Sequence, residues 1–176
     1  SIRRIIVEQR KKYENMYSCM EKYYDGMLVR NWETYQWLLK HGYSKKMVSD
    51  YNLYTFNKWS KNFLSETKIS SFTAPVELNV KELQKLDIQE MALIVYGYQP
   101  VMFSAGCVKK NTEQCKKEEG ILYLTDRYQK KFAVKNYCNC CYNIIYNSAP
   151  LVLVNNKEEV LNLRPYSLRL DFTLED

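Results

Sequence analysis

The sequence predicts an α/β fold: a partial (β/α) TIM-like barrel carrying a cysteine-rich β insertion. Short apolar runs alternate with helical patterns through the first three-fifths of the chain. The runs begin about every 20 to 25 residues, the repeat of a βα unit, and lack polar alternation, as strands buried on both faces do. Polar residues collect where each run ends, as they do on the C-terminal face of a barrel.

The elements follow in order. Tyr13, Met16, Tyr17, Met20 and Tyr23 fall at three- and four-residue spacing and predict a helix over Arg10 to Tyr24. Gly26 to Arg30 reads as the first strand, and Asn31 leads into a helix from Trp32 to Lys40 that His41-Gly42 stops, glycine being suited to the left-handed cap. Lys46 to Asp50 is the next strand, followed by a helix from Thr55 to Leu64. A third strand covers Ser71 to Ala74, Pro75 bends its end, and Asn79 caps a helix from Val80 to Leu86. Leu93 to Tyr96 is the fourth strand, and Ser167 to Thr173 supplies another near the end of the chain. The organisation is therefore βα units over 1–104, a cysteine-rich metal- or cluster-binding segment over 105–150, and a closing helix with the final barrel strand over 151–176.

A closed barrel takes eight strands and about 250 residues. With fewer strands legible, the chain is expected to be part of a longer protein, its open edge covered by the remainder of the barrel or by a homodimer partner. Strand ends nominate Arg30, Asp50, Asn52, Glu77 and Tyr96 as substrate-pocket residues, with rim hydrogen bonding as their structural role; the acids could also pair with Arg30 or Arg169.

Hydrophobic residues at 46% and charged residues at 26% describe a globular chain rather than a disordered one. No stretch approaches the roughly 18 apolar residues of a membrane span, and Ser-Ile-Arg-Arg-Ile-Ile-Val is no signal peptide, so no membrane association and a cytoplasmic location are expected. The net charge of +6 is dispersed along the chain and favours an anionic partner, RNA among them, only weakly.

Five of the six cysteines lie between positions 107 and 141. In a reducing compartment, clustered cysteines point to metal binding or redox chemistry more than to disulfides. Cys138-x-x-Cys141 can place two thiolates on one centre, and Cys107 and Cys115 complete a set of four metal ligands. An all-sulfur set serves a 4Fe-4S cluster or zinc, with inert thiols as the plain alternative; the spacing of Cys107 and Cys115 departs from a zinc knuckle and favours the cluster. Lys109, Lys110, Lys116, Lys117, Arg127, Lys130, Lys131 and Lys135 would favour thiolates there. Cys140 rivals Cys138 and Cys141 as a ligand, and Cys19 reads as a core residue of its helix. His41 is the only histidine, so no nucleophile–histidine pair or triad with a second base can be assembled around it, and beside Gly42 it suits the helix C-terminus.

Tyr96-Gly-Tyr-Gln-Pro-Val-Met102, Cys107-Val-Lys-Lys-Asn111, Leu124-Thr-Asp-Arg127, Tyr137-Cys138, Cys141-Tyr-Asn143 and Ile145-Tyr-Asn-Ser148 resemble the collagenase-like peptidases of unknown catalytic type, peptidase family U, group thirty-two. The likeness continues through Val29-Arg-Asn31, Ser49-Asp-Tyr-Asn-Leu-Tyr54, Thr73-Ala-Pro-Val-Glu-Leu78 and Leu168-Arg-Leu-Asp-Phe-Thr173. The resemblance implies a TIM-like barrel whose first strands would precede Ser1. It also implies a 4Fe-4S cluster on Cys107, Cys115, Cys138 and Cys141. For activity it implies oxygen-independent hydroxylation of tRNA or rRNA, or of quinone precursors, in place of the older protease label. RNA or a peptide is then the expected substrate. A genuine protease and a zinc-stabilised, non-catalytic RNA-binding or assembly module are the other readings.

Overall fold

Strands that are apolar on both sides and joined through helices can pair side by side in the same direction, and the chain does this. The computed structural model describes Tyr17 and residues 21–112, 115–139 and 141–175. Most of the Arg10 to Tyr24 helix, with Cys19, lies outside the described residues, as does Cys140. The described residues divide into two compact units: Tyr17 and residues 21–95 with 153–170, and residues 96–152 with 171–175.

In the first unit, β1 (Gly26–Val29), β2 (Lys46–Ser49), β3 (Ser71–Thr73) and β4 (Met91–Gly97, here up to Val95) pair in parallel in that order. This parallel sheet curls into a half-barrel. Helices Trp32–Lys40, Lys58–Ser65 and Val80–Leu86 make the crossovers, and Val29, Leu38, Met47, Leu64, Phe72, Leu83 and Met91 meet in one core. β4 is buried along nearly its whole length, which explains its uninterrupted apolar run.

Local chemistry sets the helix ends. Gly42, at φ 71°, follows the helix Trp32–Lys40. Its N–H donates to the Leu39 carbonyl (3.1 Å) and the Tyr43 N–H to the Leu38 carbonyl (3.0 Å), the two bonds of a Schellman stop. Asn79 caps Val80–Leu86 as the sequence predicts: its Oδ1 accepts from Glu82 N (3.1 Å), and Glu82 Oε2 accepts from Asn79 N (2.8 Å). The helix predicted from Thr55 begins instead at Lys58, because Thr55 is buried and Asn57 forms the capping box with Ser60. A short 3₁₀ turn, Tyr51–Leu53, fills the gap after β2.

The second unit is antiparallel. β5 (Pro100–Ser104), β6 (Gly120–Thr125), β7 (Lys131–Tyr137) and β8 (Tyr142–Tyr146) form a sheet in the order β5-β8-β7-β6. A two-residue strand, β9 (Leu151–Val152), pairs antiparallel with Tyr96 and Gly97 at the end of β4. The closing helix is Lys157–Asn162, and β10 (Ser167–Asp171) lies next to β4 in sheet order. No helix of the described residues is long and apolar enough to cross a membrane.

Candidate metal centre

Topology alone brings the four predicted ligands to one place. β7 and β8 form a hairpin whose last pair is Tyr137 with Tyr142, so Cys138 and Cys141 sit in its turn. Gly120, the first residue of β6, pairs with Asn136 near the end of β7, so the segment carrying Cys115 enters at the same end. Ser104, the last residue of β5, pairs with Asn143 near the start of β8, so Cys107 leaves the sheet there too. Antiparallel pairing makes these four strand ends coincide, although Cys107 and Cys141 are far apart in sequence.

Cys107, Cys115, Cys138 and Cys141 line one cavity of about 240 Å³ together with Lys110, Lys117, Asn136, Tyr137, Tyr142 and Asn143. All four are free thiols, Cys115 and Cys141 exposed and the other two half-buried. Cys138 donates from Sγ to the Glu118 carbonyl (3.0 Å), which also accepts from Lys109 Nζ (2.8 Å). Burial pushes the Cys138 thiol up from its ordinary value; Lys109 opposes this, while Cys115, Cys107 and Glu119 add to it. Among the described residues no three Cys, His, Asp or Glu side chains converge closely enough to hold a metal ion. The thiols thus share a cavity without meeting at a point. Their soft sulfur donors fit a thiolate-bound cluster by chemical type.

No family model, curated protein or solved structure matches the chain.

Two buried asparagines hold the walls of the cavity together. Asn136 and Asn143 are cross-strand partners, 2% and 1% exposed. Asn136 Nδ2 donates to Asn143 Oδ1, and Asn143 Nδ2 donates to the Gly106 carbonyl (2.7 Å), immediately before Cys107. The pair therefore ties the Cys107 loop to the hairpin bearing Cys138 and Cys141. Asn136 Oδ1 is buried without a hydrogen-bond partner. Tyr137 and Tyr142, on the adjoining cross-strand pair, stack at 4.7 Å with their planes 4° apart. The sequence carries a signal for this arrangement in Asn136-x-Cys138 and Cys141-x-Asn143, a mirrored spacing that acquires meaning once the hairpin register is known.

The basic residues divide. Lys110 and Lys117 line the cavity and Lys109 acts on Cys138. Arg127 and Lys130 lie in the β6–β7 turn and Lys131 begins β7, at the opposite end of the sheet, roughly 20 Å away at the rise of an extended strand. Those three do not attend the thiols, contrary to the expectation from sequence proximity. Lys135 donates to the Thr173 carbonyl (3.1 Å).

Of the five pocket candidates, the structure joins three. Arg30 and Asp50 each follow the last residue of a strand, and those residues, Val29 and Ser49, are in register. Asp50, its side chain fully buried, lies 2.9 Å from Arg30 Nε through Oδ2 and 2.9 Å from Arg169 Nη1 through Oδ1. The Arg30 Nε–H is aligned with Asn52 Oδ1 at 3.3 Å, so Asp50 Oδ2 receives Arg30's charge without an aligned hydrogen bond. Both pairings raised from the sequence, of Asp50 with Arg30 and with Arg169, are made. Glu77 is exposed in the turn after β3. Tyr96 belongs to the second unit, where it packs on Phe172 at 5.4 Å; the Glu175 carboxylate beside its hydroxyl, with burial, pushes that hydroxyl up.

Proposed function

We propose that Cys107, Cys115, Cys138 and Cys141 hold a 4Fe-4S cluster and that the protein uses it in oxygen-independent hydroxylation of RNA, either tRNA or rRNA. The observation that carries the reading is the delivery of four thiols from three segments to one end of one sheet, around one cavity. The motif resemblance to the collagenase-like peptidase family supports the RNA part. A bound cluster supplies one-electron transfer. The chain's own contribution is to anchor it through thiolates, offset its charge with Lys110 and Lys117, and keep the two ligand-bearing loops together through Asn136 and Asn143. A partial TIM-like barrel in the half-barrel unit would present the substrate groups at its strand ends.

A single zinc ion needs four sulfurs at about 2.3 Å from one point. The same four thiols are the candidate donors for zinc, the second reading. Peptidase chemistry would need a base beside a nucleophile. The only histidine is committed locally: His41 Nδ1 lies 2.8 Å from the Trp37 carbonyl, and its ring packs on Trp37 at 4.1 Å.

Anaerobic reconstitution with iron and sulfide tests the proposal. Serine replacement of Cys107, Cys115, Cys138 or Cys141 should each lower bound iron and sulfide, whereas Cys19→Ser should not. Casein or collagen cleavage that survives both Cys107→Ala and Cys138→Ala would support the protease reading instead.

A further inference from the structure

We infer that Lys109 is the positioning residue of the Cys138 ligand: its ammonium takes the place of the proton that Cys138 gives up to a bound metal, and holds that thiolate beside the Glu118 carbonyl.

The geometry starts at one oxygen. The Glu118 carbonyl accepts from Cys138 Sγ at 3.0 Å and from Lys109 Nζ at 2.8 Å. Two donors on one oxygen cannot lie further apart than those distances placed end to end, so ammonium and thiol are neighbours whatever the angle between them. The three chain segments that carry the candidate ligands meet there. Lys109 stands in the helix Val108–Thr112, directly after Cys107; Glu118 follows Cys115 by three residues; Cys138 opens the hairpin turn. Beside this junction Asn139 Nδ2 donates to Glu119 Oε1 (3.3 Å), so the Cys115 segment is fastened to the hairpin at two successive residues. A Cβ on Gly120, the first residue of β6, would lie 3.6 Å from Lys109 Nζ, which puts the ammonium against the start of that strand.

Metal binding changes what the oxygen faces. A thiol donates, but a metal ligand is a thiolate: as the metal–sulfur bond forms, the S–H bond breaks, its electron pair goes to the metal and the proton leaves to solvent. The sulfur then has no hydrogen for Glu118, and two acceptors stand 3.0 Å apart in this geometry, a contact that costs free energy unless a donor serves both. Lys109 is that donor. An ammonium has three N–H groups, of which Glu118 takes one, so the same side chain can donate to the oxygen and to the sulfur at once. Charge-assisted bonds of this type are the stronger class. Lys110 and Lys117 line the cavity as a whole, whereas Lys109 acts on one named ligand. In a cluster, a cation held against a ligand sulfur also favours the reduced state, which carries one more negative charge.

This role rests on the proposed ligand function of Cys138, and two probes keep the failure of either apart. The first is zinc alone on the reduced, metal-free whole chain, its affinity read by competition with a chromogenic chelator. Lys109→Met should weaken zinc binding about tenfold, the loss of one charge-assisted hydrogen bond, whereas Lys109→Arg should stay within about twofold of wild type. Lys131→Met, which removes a cation at the opposite end of the sheet, should leave the affinity unchanged. The second probe is the chain reconstituted with iron and sulfide without oxygen. There Lys109→Met should shift the reduction potential downward, and Lys109→Arg should restore it. Wild-type zinc affinity in Lys109→Met would overturn the assignment, as would an equal loss in Lys109→Arg or in Lys131→Met. A chain that binds zinc but no cluster would remove the cluster reading and leave Lys109 judged by zinc; one that binds neither would overturn both.

Discussion

Replacing Asn143 by alanine should destabilise the antiparallel unit and loosen the cysteine site together. Asn143 accepts from Asn136 Nδ2 and donates to the Gly106 carbonyl at 2.7 Å, and both asparagines are almost fully buried. The substitution removes two hydrogen bonds, each with a net contribution of about 0.5–1.5 kcal/mol, and leaves the Asn136 amide buried with no partner, a penalty of about 1–3 kcal/mol. Because these terms overlap, the expected loss is about 2–4 kcal/mol, measured as a shift in the urea midpoint of the metal-free chain at constant m-value. The double variant Asn136→Ala/Asn143→Ala should cost less than the two single variants summed, by about 0.5–3 kcal/mol, since the second change removes the orphan that the first created. Cys107, one residue beyond the released carbonyl, should become more accessible to alkylation. A loss below about 0.5 kcal/mol, the range of an ordinary surface change, would refute the claim that this pair latches the ligand loops.

Three further outcomes follow from single residues. In the metal-free chain at mildly alkaline pH, Cys138 should be alkylated more slowly than Cys141, because burial raises its thiol and Sγ donates to Glu118; peptide mass spectrometry showing Cys138 as the faster site would contradict that environment. Gly97→Ala should destabilise by more than about 2 kcal/mol in chemical denaturation, since a Cβ at φ +147° would lie 2.5 Å from the Asp171 carbonyl oxygen; a near-neutral result would mean that this contact is not made. Burial raises the Glu175 carboxyl, but amide donors from its own backbone, Leu174 and Thr173, with the Tyr96 hydroxyl, outweigh it and hold the group below its ordinary value. Its contribution to stability is therefore present above the usual carboxylate range and lost as pH falls through the lowered value, so wild type and Glu175→Gln should converge in acid; stability curves that stay parallel from about pH 3 to pH 7 would refute this.

The half-barrel was legible because its signals are local. Asn79 and Gly42 mark helix ends through bonds made within one turn, and β4 shows its burial as an apolar run. The start at Lys58 was missed because Thr55 and Asn57 are both capable caps, and only burial of Thr55 decides between them. The second sheet was legible as a cysteine-rich segment but not strand by strand: Val101, Met102 and Phe103 are consecutive exposed apolar residues, which no period of two describes. Grouping of the cysteines was readable from clustering, whereas the roles of Asn136 and Asn143 depend on hairpin register. The cations show the opposite error. Arg127, Lys130 and Lys131 are near the cysteines in sequence, but a full strand length carries them to the other end of the sheet. Arg169, offered by the sequence as one possible partner of the strand-end acids, reaches Asp50 across 119 positions, and the fold selects Asp50 rather than Glu77.

Iron and acid-labile sulfide per chain, measured with the absorption spectrum on protein purified and reconstituted without oxygen, test the central claim most directly. About four of each per chain are expected for wild type, and their loss together in Cys107→Ser and Cys138→Ser. Zinc without sulfide, or free thiols and no metal after reconstitution, would contradict it.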